Sequence, residues 1–133
     1  MSEKQKLLIV DDSELNRDIL KEILGSRYDY MEAENGTQAI QILEVHPEID
    51  LMLLDINMPQ MNGFQVLEHM RELQWIDEVP VVMISSEESV EIMRKAYDLG
   101  ITDYISRPFD AVIVKKRVQN TLGLYANQKR LIN

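Results

Sequence analysis

The chain has 133 residues, 45% apolar and 28% charged, which suits one globular domain with a proper core and excludes a disordered chain. Its formal net charge of −9 argues against direct nucleic-acid binding, because an acidic surface gains no counterion release from a phosphate backbone. There is no cysteine, so disulfides and thiol chemistry are excluded; the polar start MSEKQK lacks a signal-peptide core, and no run approaches the roughly 18 apolar residues of a membrane span, so a cytoplasmic protein is expected.

In chain order, Leu7 to Val10 is a short apolar run that stops on Asp11 and Asp12. Ser13 then reads as the N-cap of a helix carrying Leu15, Ile19, Leu20, Ile23 and Leu24, with Gly25 as its stop. Tyr28 to Ala33 is a second strand, and Asn35-Gly36 a turn. Ala39, Ile40, Ile42 and Leu43 form the apolar stripe of a second helix that closes before Pro47. Leu51 to Leu54 is a third, buried strand ending on Asp55, followed by a loop with Asn57, Met58, Pro59, Asn62 and Gly63. Phe64, Val66, Leu67 and Met70 mark a third helix. Val79 to Ile84 is a fourth strand, ending on Ser85 and Ser86. A helix from about Ser89 to Leu99 turns Ile92, Met93 and Ala96 inward, and Gly100 stops it. Thr102 to Ile105 is a fifth strand, Arg107-Pro108 breaks it, and a last helix begins near Asp110. Alternating strands and helices imply right-handed βαβ units and a parallel sheet covered on both faces.

The strand ends carry polar chemistry. In a doubly wound sheet of order 2-1-3-4-5, the ends of strands one and three flank the point where the strand order reverses, and ligands bind there. Asp11, Asp12 and Asp55 then meet in one cleft. Two charges about 4 Å apart repel by about 4 kcal/mol at an effective dielectric of about 20, so the cluster calls for a cation or a proton. Hard carboxylate oxygens suit Mg²⁺. Ser85 brings a hydroxyl and Arg107 a permanent cation, and both suit a phosphoryl group next to the metal. Among these neighbours Asp55 can act as a nucleophile towards phosphorus. Taken singly, Asp12 could be a helix cap, Asp55 a loop acid, Ser85 a strand-end serine and Arg107 a solvated charge.

The residues Asp11-Asp12 after LLIV, Asp55 in LLDINMP, Gly63 eight positions on, Ser85 in VVMIS, and Tyr104 with Pro108 in DYISRPF form one constellation. From about Lys6 to Leu122 the chain resembles a response-regulator receiver domain of two-component signalling, of the chemotaxis-regulator-like kind. The resemblance implies a flavodoxin-like α/β fold with a five-stranded parallel sheet and five helices. It implies that Asp55 accepts a phosphoryl group from a histidine kinase, and that the domain is a signalling module rather than a dedicated enzyme. Mg²⁺ would be held by Asp12, Asp55 and the backbone carbonyl of Asn57, with Asp11 acting through water. Ser85 would bind a phosphoryl oxygen, and Tyr104 would be the aromatic switch. A cis bond at Arg107-Pro108 is also implied. Asn57 and Glu87 would flank the path of the water that removes the phosphate.

One position departs from the family, which usually has lysine where this chain has Arg107. The guanidinium keeps the charge but is longer and planar, so the alternative is a pseudo-receiver, or protein-interaction scaffold, with impaired phosphorylation. The resemblance places the output face on helix four, strand five and helix five, through which a homodimer or a downstream protein would form. On that face Ile92, Met93, Tyr97, Tyr104 and Ile113 are expected to be mostly core. Residues 1–122 are expected to be the receiver and 123–133 an extension of the last helix, where Val118, Leu122, Tyr125 and Ile132 are spaced along one face with Lys129 between. The tail RVQNTLGLYANQKRL resembles linkers to an output domain such as a fused cyclic-dinucleotide signalling enzyme. An aspartyl-nucleophile phosphatase would need a second acid where Asn57 stands. A flavin carrier would need a phosphate loop where Asp11-Asp12 would repel phosphate.

Overall fold

In the computed structural model the described residues are 4–86 and 89–132, residues 126–132 by their backbone alone. The elements are β1 (Lys6–Val10), α1 (Glu14–Leu24), β2 (Asp29–Ala33), α2 (Gly36–Val45), β3 (Leu51–Asp55), α3 (Gly63–Glu72), β4 (Val81–Ser85), α4 (Val90–Leu99), β5 (Asp103–Ser106) and α5 (Ala111–Ile132). Every neighbouring pair of strands is parallel, in the order β2-β1-β3-β4-β5. This is the expected doubly wound flavodoxin-like sheet, with β2 and β5 at its edges.

The two-residue period of the strands builds two cores, one on each face. Leu8, Val10, Met52, Leu54, Val81, Met83 and Tyr104 point one way and pack with Ala39 and Leu43 of α2, Val66, Leu67 and Met70 of α3, and Ala96 of α4. Leu7, Ile9, Leu51, Leu53, Val82, Ile84 and Ile105 point the other way and pack with Leu20 and Leu24 of α1 and Val114, Val118 and Leu122 of α5. The central strand β3 is therefore buried along its whole length. That explains why its sequence is apolar without alternation.

The helix ends follow their caps. The Ser13 hydroxyl accepts the Asn16 N–H at 3.2 Å. Asn35 is not the corner of a turn but the N-cap of α2, accepting the Gln38 N–H at 2.9 Å. Asn62 and Gln65 close a reciprocal capping box at the start of α3. α1 departs from the apolar stripe expected of it. Leu15 is 68% and Ile19 37% exposed, while Arg17 is buried with Leu20 and Leu24. Ile92 and Met93 are half-buried against the core, but Tyr97 and Ile113 are each 45% exposed, so the expected output face carries more apolar surface than the sequence suggested. On α5, Val118 and Leu122 are buried and Tyr125 is half-buried; the side chains of Lys129 and Ile132 lie outside the described residues.

Candidate functional site

The strand register brings the polar ends together. Val10 stands opposite Leu54, Asp55 opposite Ile84, and Ser85 opposite Ser106. Asp11 follows β1 directly, Asp55 is the last residue of β3, Ser85 the last of β4, and Arg107 follows β5. One carboxylate oxygen from each of Asp11, Asp12 and Asp55 lies within 4.8 Å of the others. Asp11 and Asp55 are buried and Asp12 is exposed. These three acids are the set expected from the sequence.

Asp11 Oδ1 accepts the Ser13 N–H at 2.9 Å, which turns the chain into α1. Asp55 Oδ1 accepts the Asn57 N–H at 3.1 Å. The remaining oxygens share one cation. Arg107 Nη2 lies 2.7 Å from Asp11 Oδ2 and 3.1 Å from Asp55 Oδ2. Its Nε is buried with no hydrogen-bond partner among the described residues. The peptide bond between Arg107 and Pro108 is cis, and the Arg107 N–H donates to the Ser85 carbonyl at 3.1 Å.

The electrostatics follow from burial. Burial pushes the Asp55 carboxyl up to about 6; the Asn57 N–H pulls it down, the Asp11 charge adds to the rise, and Arg107 opposes it. Burial acts to lower the Arg107 pKa, but the charges of Asp55 and Asp11 outweigh it and hold the guanidinium above its ordinary value. Arg107 thus offsets part of the repulsion that would otherwise act between the two buried acids.

The loop after β3 is shaped by close packing. A Cβ on Gly63 would lie 2.7 Å from the Asp55 carbonyl oxygen and 2.8 Å from Ile56 Cα, so only glycine lets α3 start against the end of β3. Its N–H donates to the Ile56 carbonyl at 3.0 Å. Tyr104 is 8% exposed, its ring turned into the core that holds Met83. Glu87 lies outside the described residues. Asn57 is exposed and meets Asp55 through its N–H.

Arg17 is the neighbour that sequence reasoning missed. Its Nη1 donates to the Asp11 carbonyl at 2.7 Å, and its Nε to Glu32 Oε1 at 2.9 Å. An arginine between polar residues of a helix reads as a solvated charge; the one available signal was its place a single turn past the Ser13 cap.

Residues 7–119 match the sequence pattern of the response regulator receiver domain. The chain belongs to the response-regulator receiver family. This receiver is 35% identical over 120 residues to "Chemotaxis protein CheY1" of Helicobacter pylori, covering 89% of this chain and 97% of that protein. It is 32% identical over 127 residues to "Probable cyclic di-GMP phosphodiesterase" of Vibrio cholerae, covering 96% of this chain but 29% of that protein. Among solved structures it resembles the CheX-CheY-BeF3-Mg²⁺ complex from Borrelia burgdorferi, at a TM-score of 0.81, 30% identity and 87% coverage of each chain. Receiver domains are signalling modules of two-component systems and generally not dedicated enzymes. Among the described residues no helix of this receiver is long and apolar enough to cross a membrane.

Proposed function

We propose that this receiver takes a phosphoryl group on Asp55 from a histidine kinase, in a Mg²⁺-dependent transfer that alters its α4–β5–α5 face. The observation that carries the reading is the meeting of three carboxylate oxygens within 4.8 Å at the carboxyl ends of β1 and β3. That all-oxygen set fits a hard cation that keeps part of its water shell. Asp12, Asp55 and the Asn57 carbonyl would hold Mg²⁺, and Asp11 would reach it through water. Bound there, Mg²⁺ supplies positive charge to the oxygens of the phosphoryl group in transit.

The remaining roles belong to the chain. A carboxylate oxygen of Asp55 attacks phosphorus. The bond from phosphorus to the kinase imidazole nitrogen breaks, and the ring leaves with the electron pair and regains a proton. The product is an acyl phosphate on Asp55. Ser85 donates to one phosphoryl oxygen, and Arg107 turns from Asp55 to another. The buried Tyr104 follows Ser85 as the switch, and the exposed Tyr97, Val90 and Ile113 supply apolar surface for a downstream protein or a second copy. Residues 1–122 form the signalling unit, and α5 continues past it to Ile132, towards an output domain. The Vibrio cholerae relative supports a cyclic-dinucleotide enzyme as one such output.

Intact mass after incubation with Mg²⁺ and a small-molecule phosphodonor tests the transfer, with Asp55→Asn as control. One added phosphoryl group in the wild type alone is expected. None, in a protein that binds Mg²⁺, would overturn the transfer and leave a protein-interaction scaffold. Light scattering with Mg²⁺ and beryllofluoride tests the homodimer, and an unchanged mass would remove it.

A further inference from the structure

At the acid end the backbone of β1 runs on past the sheet ladder. β1 pairs with β2 and β3 only as far as Val10, opposite Ala33 and Leu54. The Asp11 N–H still reaches β2, donating to the Ala33 carbonyl at 3.1 Å. The Asp11 carbonyl lies past the last paired residue, and Arg17 takes it through Nη1 at 2.7 Å in a buried contact. The same guanidinium is steadied by Glu32, which accepts from Arg17 Nε at 2.9 Å and from Lys21 Nζ at 2.9 Å.

The Arg17 side chain is only 9% exposed. Burying a guanidinium is costly, and apolar replacements of a whole buried ion pair are often no less stable, so filling space does not by itself call for an arginine here. What the arginine adds is a grip on one peptide. The Asp11–Asp12 peptide is planar, so fixing its carbonyl fixes where both residues leave it. Asp11 and Asp12 flank that peptide, and Asp12 is the exposed member of the acid cluster.

We infer that Arg17 is a positioning residue for the acid cluster: by holding the Asp11 carbonyl it aims Asp11 and Asp12 at a cation shared with Asp55. This rests on the Mg²⁺ reading given above. The sign of the effect separates position from charge. A cation this close would by charge alone repel Mg²⁺, so its removal would tighten binding. A positioning role requires the opposite.

Calorimetric titration with Mg²⁺ of wild type, Arg17→Met and Arg17→Lys tests this, at a temperature below the melting midpoint each protein shows in EDTA. Arg17→Met is expected to bind Mg²⁺ about ten-fold more weakly, the low end of the loss when a group supporting a metal ligand is removed. Arg17→Lys is expected to fall between, since an ammonium can reach the carbonyl or Glu32 but lacks the fork for both. Unchanged or tighter binding in folded Arg17→Met overturns the inference. If Arg17→Met does not fold, Arg17→Lys decides: several-fold weaker binding supports the role, and wild-type affinity overturns it. A wild type that binds no Mg²⁺ overturns the metal reading too, whereas a binding wild type with unaltered variants overturns this inference alone.

Discussion

The Asp55 carboxylate is destabilised by its burial. Its folded-state pKa of about 6 stands above the ordinary 3.8, so the folded chain holds that proton more tightly than the unfolded chain. The stability conferred by the proton is present in full below 3.8 and is lost as pH rises through about 6. At 1.36 kcal/mol per unit this is at most about 3 kcal/mol. Urea midpoints in EDTA should therefore decline for the wild type over that window, and Asp55→Asn should flatten the decline and be the more stable protein at neutral pH. Arg107 works in the opposite direction. Arg107→Gln leaves Asp11 and Asp55 facing each other without their shared cation, and should lower Mg²⁺-free stability by roughly 1–3 kcal/mol, with a larger gain on adding Mg²⁺ than the wild type shows. A gain no larger than the wild type's would mean that the guanidinium does not offset the acids. At this scale the sequence was legible wherever an apolar run stopped abruptly on a polar residue, as at Asp11, Asp55 and Ser85. Arg17 was hidden because its purpose is a carbonyl, and a backbone group leaves no letter in the sequence.

At the scale of elements, α3 starts hard against the site. It begins at Gly63, against the last residue of β3, with the Asn62–Gln65 capping box fixing its first turn. Gly63→Ala would drive a Cβ into backbone atoms that cannot rotate away. We expect a loss of about 1–3 kcal/mol, the range for overpacking, together with slower phosphoryl uptake because Asp55 or the loop must shift. Thermal midpoint and intact mass measured on one preparation would check both, and an unchanged midpoint would show that the loop yields freely. The order of elements was readable because helices and strands differ in apolar period. Their edges were not: β4 runs from Val81 to Ser85 rather than from Val79, and β5 from Asp103 to Ser106 rather than from Thr102. Buried parallel strands shade into apolar loops without a change of composition, so pairing alone sets their ends. α1 misled for a related reason. Its apolar letters outnumber what its narrow contact can cover, and Leu15 and Ile19 are left outside.

For the whole molecule, two cores lie on one sheet, and Leu122 is the last buried residue described on α5. A chain of residues 1–122 should keep its urea midpoint to within about 0.5 kcal/mol, the scale of a surface change. Among the described residues it gives up a long contact, 3.5 Å, between Thr102 Oγ1 and the Tyr125 hydroxyl. A markedly larger loss would make the extension part of the domain. The fold class was legible from the alternation of elements, and the three acids from their strand ends; the state of the output face was not, because burial there depends on how α4 and α5 lie against β5.

The two edge strands have a consequence for assembly. An open parallel sheet presents unpaired backbone on both flanks, which invites other chains to add strands. Here β2 carries the exposed Asp29 and Glu32, and β5 carries Asp103, whose carboxylate holds Arg117 Nη1 at 2.6 Å. A strand arriving at either flank would have to strip water from these charges. Crowding the protein should therefore give neither fibrils nor edge-to-edge ribbons, and any self-association is left to the helical faces.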